Sequence, residues 1–204
     1  MWGYYKTILT IEAGATVTIT DSAGNGEMAG GDQNNIIYNS GTLILNGASI
    51  DSANMGILNV GTFTMTDGKI TASAEAVYNS GIFIMADGEI ASTGSAVVNE
   101  EDGTFTMDDG KISSFDVAVT NAGIFNMNNG EIASTGETAV YTNRAGTFTM
   151  HDGLILPGAT TSQPVNGNYA TNCVEVREGT LDVKGGTIEG EVRITTVAGK
   201  VKVE

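Results

Sequence analysis

Aspartates precede a glycine at one equivalent position of a repeated motif: Asp67, Asp87, Asp109 and Asp152. Carboxylates stacked in a column could coordinate Ca²⁺, a cation that takes about six to eight oxygen ligands. The glycine-rich nonapeptide that binds calcium in some β-rolls is absent, and Asx residues also favour tight turns without a metal. We therefore favour a structural turn. Ca²⁺ is the one cofactor that this pattern still allows, and its candidate ligands are Asp67, Asp87 and Asp109.

Other catalytic arrangements have less support. Repeated carboxylates could supply the acid and base of a glycosidase, which lie about 5 to 9.5 Å apart, but any two acidic residues one or two repeats apart would meet that spacing. His151 is the only histidine and lies beside Asp152. Because no serine or cysteine pattern accompanies it, it forms no nucleophilic triad and is interpreted as an exposed turn residue. We name no catalytic residue.

A ten-residue motif positions these side chains. Its clearest copy is GTFTMTDGKI at residues 61–70, and the leading glycines of all the copies are Gly14, Gly41, Gly61, Gly81, Gly103, Gly123, Gly146 and Gly179. Successive leading glycines are separated by 27, 20, 20, 22, 20, 23 and 33 positions. Self-similarity at a period of roughly 20 to 50 residues predicts a solenoid.

Each copy of the motif alternates with a period of two. Phe63 and Met65 share one face of a strand, while Thr62 and Thr64 share the other. A tight Asp-Gly or Asn-Gly turn follows, then a short strand that buries Ile70, then a third element at residues 76–79. The sequence therefore predicts an all-β fold, a single-stranded parallel β-helix of about eight coils of roughly 20–22 residues. Crossover chirality favours a right-handed helix.

Asparagine recurs at the inward end of the third element. Buried side-chain amides need hydrogen-bond partners, and stacked amides can supply them to one another. The pattern predicts an asparagine ladder of Asn39, Asn59, Asn79, Asn99, Asn121 and Asn143.

The whole chain, residues 1–204, is predicted to be one domain. Residues 1–40 form the N-terminal cap and first coil, with a polar glycine-rich loop at 21–35 and with Trp2, Tyr4 and Tyr5 covering the open edge. Residues 41–155 form the regular coils, 156–172 a protruding loop, and 173–204 the last coils. The only cysteine, Cys173, is predicted to be a small core residue.

Charge limits the partners. Nine Lys and Arg against 24 Asp and Glu give a net charge of −15, so nucleic acid and anionic membranes are not expected to bind directly. No 18-residue apolar run indicates membrane insertion, and the N-terminus lacks the layout of a signal peptide. We expect an extracellular or cell-surface location, with the leader and neighbouring domains outside this sequence.

The outward residues of the first strand alternate between Thr-Thr and Ile-Ile or Ile-Asn pairs, which superimposes a double repeat of about 42 residues on the single coil. This flat, uncharged and partly apolar face is a candidate contact surface. Loops on rigid scaffolds are the other usual binding position. The candidate ligand-binding residues are Thr62, Thr64, Thr104, Thr106, Thr147 and Thr149 on the face, and Asn166, Asn168 and Tyr169 in the loop.

The phrase Gly-Thr-Phe-Thr-Met-x-Asp-Gly-x-Ile, followed by Ala-Val-Tyr-Asn, resembles the repeats of large bacterial adhesin-like surface proteins, many of them from gut anaerobes. The likeness covers about residues 9–190, and the opening LTIEAGATVTI resembles the first coils of such β-helices. The chain departs from the pattern in using Asp-Gly where Gly-Gly is usual, and in the long loop after Ile155. The resemblance implies an exported surface module that displays or binds. Our first hypothesis is therefore a non-catalytic structural or adhesive module of a surface protein, which binds a polysaccharide or a cell-surface protein.

Three alternatives remain open. β-Helices often carry polysaccharide lyase or glycoside hydrolase activity. Regularly spaced Thr-x-Thr pairs could bind ice, although Ile82, Ile84, Ile124 and Asn126 interrupt that lattice. A trimeric phage-type fibre is also conceivable.

Overall fold

The computed structural model describes residues 7–30, 35–136, 138–157, 172–195 and 200–203. Strands are the only regular elements in these segments. In chain order they are β1 (Leu9–Ile11), β2 (Thr16–Thr20), β3 (Glu27–Gly30), β4 (Ile37–Asn39), β5 (Thr42–Ser52), β6 (Ile57–Asn59), β7 (Thr62–Ala72), β8 (Val77–Asn79), β9 (Ile82–Met85), β10 (Glu89–Ser92), β11 (Val97–Asn99), β12 (Thr104–Met107), β13 (Lys111–Ser114), β14 (Val119–Asn121), β15 (Ile124–Met127), β16 (Glu131–Ser134), β17 (Val140–Thr142), β18 (Thr147–Met150), β19 (Leu154–Leu156), β20 (Asn172–Val176), β21 (Thr180–Val183), β22 (Thr187–Ile188), β23 (Glu191–Ile194) and β24 (Lys200–Val203).

All of the strand pairings are parallel, and they form three stacks. The ladder face is a nine-stranded sheet in the order β1-β4-β6-β8-β11-β14-β17-β20-β23. The threonine face is β2-β5-β7-β9-β12-β15-β18-β21-β24, and the charge face is β3-β5-β7-β10-β13-β16-β19-β22. The chain is therefore a parallel β-solenoid, as the repeat predicts, with about seven coils rather than the predicted eight.

Two strands are longer than predicted. β5 and β7 each run for 11 residues across the corner between the threonine face and the charge face, so these two stacks belong to one sheet. The pairing of β5 with β7 shifts register on both sides of Asn46, which absorbs the bend.

The predicted loop at 21–35 is wrong in part. Strand β3 lies within it and pairs with the second half of β5, so that Met28 aligns with Ile50. The sequence Glu-Met-Ala-Gly contains one large apolar residue and no β-branched residue, so its strand signal is weak. Pairing to β5 nevertheless satisfies its backbone hydrogen bonds.

The core consists of columns of like residues. Five phenylalanine rings stack in parallel, with centroids 4.7, 4.7, 4.6 and 4.6 Å apart and interplanar angles of 4 to 7°. All five are fully buried, and Leu43 and Leu181 occupy the same position at the two ends of the column. A methionine column and an isoleucine column lie beside it. Each coil therefore buries its apolar face only because another coil lies above it.

The Asp-Gly corner requires glycine. Gly110 has φ +97°, and a Cβ there would lie 2.7 Å from the carbonyl oxygen of Gly88 in the preceding coil and from the Cε of Met85. Both the backbone conformation and the close approach of the coils therefore exclude a side chain. The same arrangement recurs at Gly88, Gly130 and Gly153.

The asparagine ladder is confirmed over five coils. The Nδ2 of each residue donates to the Oδ1 of the next, at 2.7, 2.7, 2.7 and 2.8 Å, and the members are Asn39, Asn59, Asn79, Asn99 and Asn121. Each also donates to turn carbonyls; Asn99, for example, donates to Gly103 and Ile124. All five side chains are fully buried, so the ladder satisfies amides that would otherwise destabilise the core.

Asn143 is not a member of the ladder, and this prediction is wrong. The pairing of Val119 with Val140 places Thr142, not Asn143, beneath Asn121. Thr142 is fully buried, and its Oγ1 has no partner within the described residues, nor does the Oδ1 of Asn143. The ladder thus ends at Asn121. The buried Val140 sets the register of β17, so Asn143 falls one position later, in the corner that follows this strand.

Opposite charges alternate along the charge face. Glu89 lies between Lys69 and Lys111 in register, and Glu131 follows Lys111. The Nζ atoms are 3.1 Å (Lys69–Glu89) and 2.7 Å (Lys111–Glu131) from the carboxylates. The face therefore carries a ladder of exposed charge pairs. Such pairs add little stability individually, but they avoid like charges at adjacent positions.

Candidate ligand-binding strip

The outward residues of the threonine face form a continuous surface, here called the strip. Its twelve members are Thr42, Ile44, Thr62, Thr64, Ile82, Ile84, Thr104, Thr106, Ile124, Asn126, Thr147 and Thr149, which pair in register over six coils. The structure thus brings the six threonines predicted from sequence onto one surface. Between the all-threonine rows lie the rows of Ile82 with Ile84 and of Ile124 with Asn126.

The strand geometry fixes the spacing of the strip. The phenylalanine rings beneath it rise 4.6 to 4.7 Å per coil. The two residues of one row lie about 6.6 Å apart along the strand, and rows of the same type recur about every 9.5 Å. The strip therefore has a regular two-coil period along the axis.

The side chains of the strip are accessible to a ligand. Ile82 is 48% and Ile124 is 50% exposed, although both lie over a fully buried core. Threonines elsewhere, such as Thr66 and Thr93, donate to carbonyls of the preceding coil. No such bond is made by the strip threonines within the described residues, so their hydroxyls remain available as donors and acceptors.

The strip carries no charge in a chain whose net charge is −15. The first acidic residue in its two columns is Asp182, which aligns with Thr149 in the next coil. Acidic groups lie beside the strip instead. One border is the Asp-Gly corner, and the other contains Glu100, Glu101 and Asp102 in one coil, next to Arg144.

The aspartates of the corner form turns, as favoured from the sequence. In each copy Oδ1 accepts a hydrogen bond from the following glycine N–H at 2.6 to 2.8 Å, in Asp67, Asp87, Asp109 and Asp152. Asn129 Nδ2 donates to Asp109 Oδ2 at 3.2 Å. No group of three or more His, Cys, Asp or Glu residues that could hold a metal ion occurs in the described segments. Each carboxylate thus has one oxygen committed to its turn.

A polar cluster on one border was not predicted. Tyr78 donates its hydroxyl hydrogen to Glu100 Oε1 at 2.6 Å, and Arg144 Nη1 lies 3.6 Å from Glu100 Oε2 and 3.9 Å from Glu101 Oε1. Arg144 and Ala145 have φ of 47° and 64°, a left-handed conformation that few non-glycine residues adopt. The sequence feature that could have indicated this cluster is the length of the corner. Asn99 and Gly103 are four positions apart, whereas Asn79 and Gly81 are two apart.

This cluster changes the ionisation of Tyr78. Burial of the hydroxyl, and then its hydrogen bond to Glu100, raise the pKa of Tyr78 to about 12. A tyrosine with a raised folded-state pKa contributes stability that is fully present below its ordinary pKa and is lost as pH rises through the folded-state value. We therefore expect Tyr78→Phe to lower stability at neutral pH, with the difference disappearing between pH 10 and 12.

Ultraviolet titration of tyrosinate absorbance tests this expectation. Tyr78 should ionise near pH 12, and Tyr78→Phe should remove that step. The matched control is Tyr38→Phe, which removes a tyrosine from the same position two coils away. If the titration curve of Tyr78→Phe keeps the same high-pH step as wild type, the assignment of that step to Tyr78 is wrong.

Two other predictions on single residues are confirmed. Cys173 is fully buried, and burial raises the pKa of its thiol to about 11, as expected for a core residue. His151 is exposed at its corner. The predicted loop residues Asn166, Asn168 and Tyr169, and the aromatic residues Trp2, Tyr4 and Tyr5, lie outside the described residues.

The described segments contain no helix of the length and apolarity needed to cross a membrane. The fold and the strip define the class: a parallel β-solenoid with an uncharged outer face. Beyond that class, no family model, curated protein or solved structure matches this chain.

Proposed function

We propose that the chain is a non-catalytic adhesive module of an exported bacterial surface protein, and that the strip is its contact surface for a glycan or a partner protein. The observation that carries this proposal is the distribution of charge. The 24 acidic residues leave twelve adjacent outward positions over six coils uncharged, while aspartates occupy the Asp-Gly corner beside them. A surface that served only for solubility would have no reason to exclude charge over an extended area.

The rest of the architecture supports a rigid display scaffold. The inward positions are used by columns of Phe, Met, Ile and Asn, whose role is to stack coils. A solenoid of this kind presents an extended surface whose length grows with the number of repeats. The likeness of the repeats to adhesin-like proteins agrees with this use.

Retention on a panel of polysaccharides in native affinity gels, with calcium present, tests the proposal. We expect at least one glycan to retard the wild-type chain. Thr106→Glu, which places a charge at the centre of the strip, should weaken that retention at least about tenfold. The matched control is Thr120→Glu, because Thr120 is also an outward strand residue but lies on the ladder face.

Equal loss of retention in both variants would show that net charge, not the strip, controls binding. Retention that survives Thr106→Glu would place the contact surface elsewhere. If no glycan of the panel retards the chain, glycan binding is excluded from the proposal, and the strip is left as a contact surface for a protein.

A further inference from the structure

The rows of the strip alternate in chemistry, which narrows the kind of ligand it fits. Rows of two threonines offer hydroxyl groups without partners in the described structure, and the rows between them offer half-exposed isoleucine. A ligand that matches this surface must present apolar patches and hydroxyl groups in alternation along its length. A pyranose has both, because its C–H groups form apolar faces and its hydroxyls form a polar rim.

The size of the strip indicates a narrow occupant. Twelve side chains over six coils cover roughly 30 Å by 10 Å, or about 300 Å². A stable protein–protein interface needs about 800 Å² from each partner. A second copy of this chain, or another globular protein, would therefore bury too little area on the strip alone. A single polymer chain that lies along the axis could cover all of it.

Charge narrows the choice further. The strip is neutral, and the corner aspartates border it along one side. An anionic polymer would lie beside this row of carboxylates, at an electrostatic cost that rises as salt is removed. The strip is thus complementary to an uncharged polymer.

The period of the strip matches an extended polysaccharide. Rows of one type recur about every 9.5 Å, which is close to the length of one extended disaccharide. In an extended β-1,4-linked chain, alternate rings turn opposite faces and edges toward a surface. Such a chain would meet equivalent contacts at every second coil.

From these observations we infer that the strip binds a neutral, extended, β-linked polysaccharide that lies along the solenoid axis with one disaccharide to every two coils. This inference rests on the proposed function and names the ligand class of the same surface. Isoleucine rows contact sugar-ring faces, and threonine rows exchange hydrogen bonds with the hydroxyl rim.

The test compares three soluble probes in affinity gels at low salt. Hydroxyethyl cellulose is neutral and extended, carboxymethyl cellulose has the same backbone with negative charges, and dextran is neutral but α-linked. We expect retention by hydroxyethyl cellulose, at least about tenfold weaker retention by carboxymethyl cellulose, and none by dextran. With cello-oligosaccharides, affinity should increase with each added disaccharide until the strip is covered.

Two substitutions locate the binding. Ile84→Thr removes an apolar side chain from the strip, and we expect about tenfold weaker retention by hydroxyethyl cellulose. The matched control is Val98→Thr, a similar change at the central outward position of β11 on the ladder face, which should leave retention unchanged.

The outcomes separate the inference from the proposed function. Preference for carboxymethyl cellulose or dextran, with binding still lost in Ile84→Thr, would overturn the ligand class and leave the adhesive strip in place. Binding that is equal in the Ile84→Thr and Val98→Thr variants would overturn both. Binding of none of the three probes would also overturn this inference, while the wider glycan panel continues to test the proposed function.

Discussion

Phe105→Ala is expected to lower the free energy of unfolding by about 3–5 kcal/mol. Phe105 is fully buried, and its ring stacks on Phe83 and Phe125 with centroids 4.7 and 4.6 Å away. The neighbouring rings cannot close the gap, because the hydrogen-bonded backbone of each coil fixes their separation. The substitution therefore leaves a cavity in the middle of the column and removes both stacking contacts.

Urea unfolding followed by circular dichroism measures this loss. Phe105→Leu is the matched control, since Leu43 and Leu181 occupy the equivalent position in other coils. It should lose distinctly less stability than Phe105→Ala. Equal losses would show that ring stacking and cavity volume do not dominate at this position.

Asn99→Asp is expected to destabilise the chain by about 3–5 kcal/mol at pH 7. Asn99 is fully buried, accepts from Asn79 and donates to the Oδ1 of Asn121. A carboxylate at this position cannot donate, so the acceptor oxygens of Asn121 and of the turn carbonyls would face a buried negative charge. The substitution thus introduces repulsion where the ladder has a hydrogen bond.

The pH dependence distinguishes this mechanism from a simple loss of packing. Burial and the facing acceptors would raise the folded-state pKa of the new carboxyl above its unfolded value of about 3.9. Stability relative to wild type should therefore be least impaired below pH ~4 and should fall as pH rises through the raised pKa. Asn99→Thr introduces the residue type that Thr142 supplies at the equivalent position, and it should show no such pH dependence. A constant deficit in Asn99→Asp from pH 4 to 8 would refute the mechanism.

Sequence periodicity was sufficient for the core and for the strands of the regular coils, apart from the length of β5 and β7, because inward positions are repeated in these coils. Phe63 and Met65 recur at nearly constant spacing, and parallel in-register stacking aligns them with Phe83 and Met85. The glycine corners were equally predictable, since Gly110 needs a positive φ that the Asp-Gly pair signals directly. Local pattern and tertiary packing agree at these positions.

Residues whose positions depend on corner geometry were harder to place. Asn143 matches the ladder by type, but the buried Val140 sets the register one residue earlier, so Thr142 takes the position. The Tyr78–Glu100–Arg144 cluster links side chains 22 and 44 residues away from Glu100, and only the lengths of the corners hint at it. The strip was predictable as a set of outward residues, but the absence of partners for its hydroxyls required the structure.

The alternating ion pairs of the charge face favour a solenoid that is extended by an even number of coils. Glu89 separates Lys69 from Lys111, so duplication of a single coil would place two lysines or two glutamates at adjacent positions. Duplication of two coils preserves the alternation, and it also preserves the order of the rows in the strip. The pair of coils is therefore the unit that can be repeated without placing like charges side by side. Addition of whole pairs also retains the periodicity of the strip.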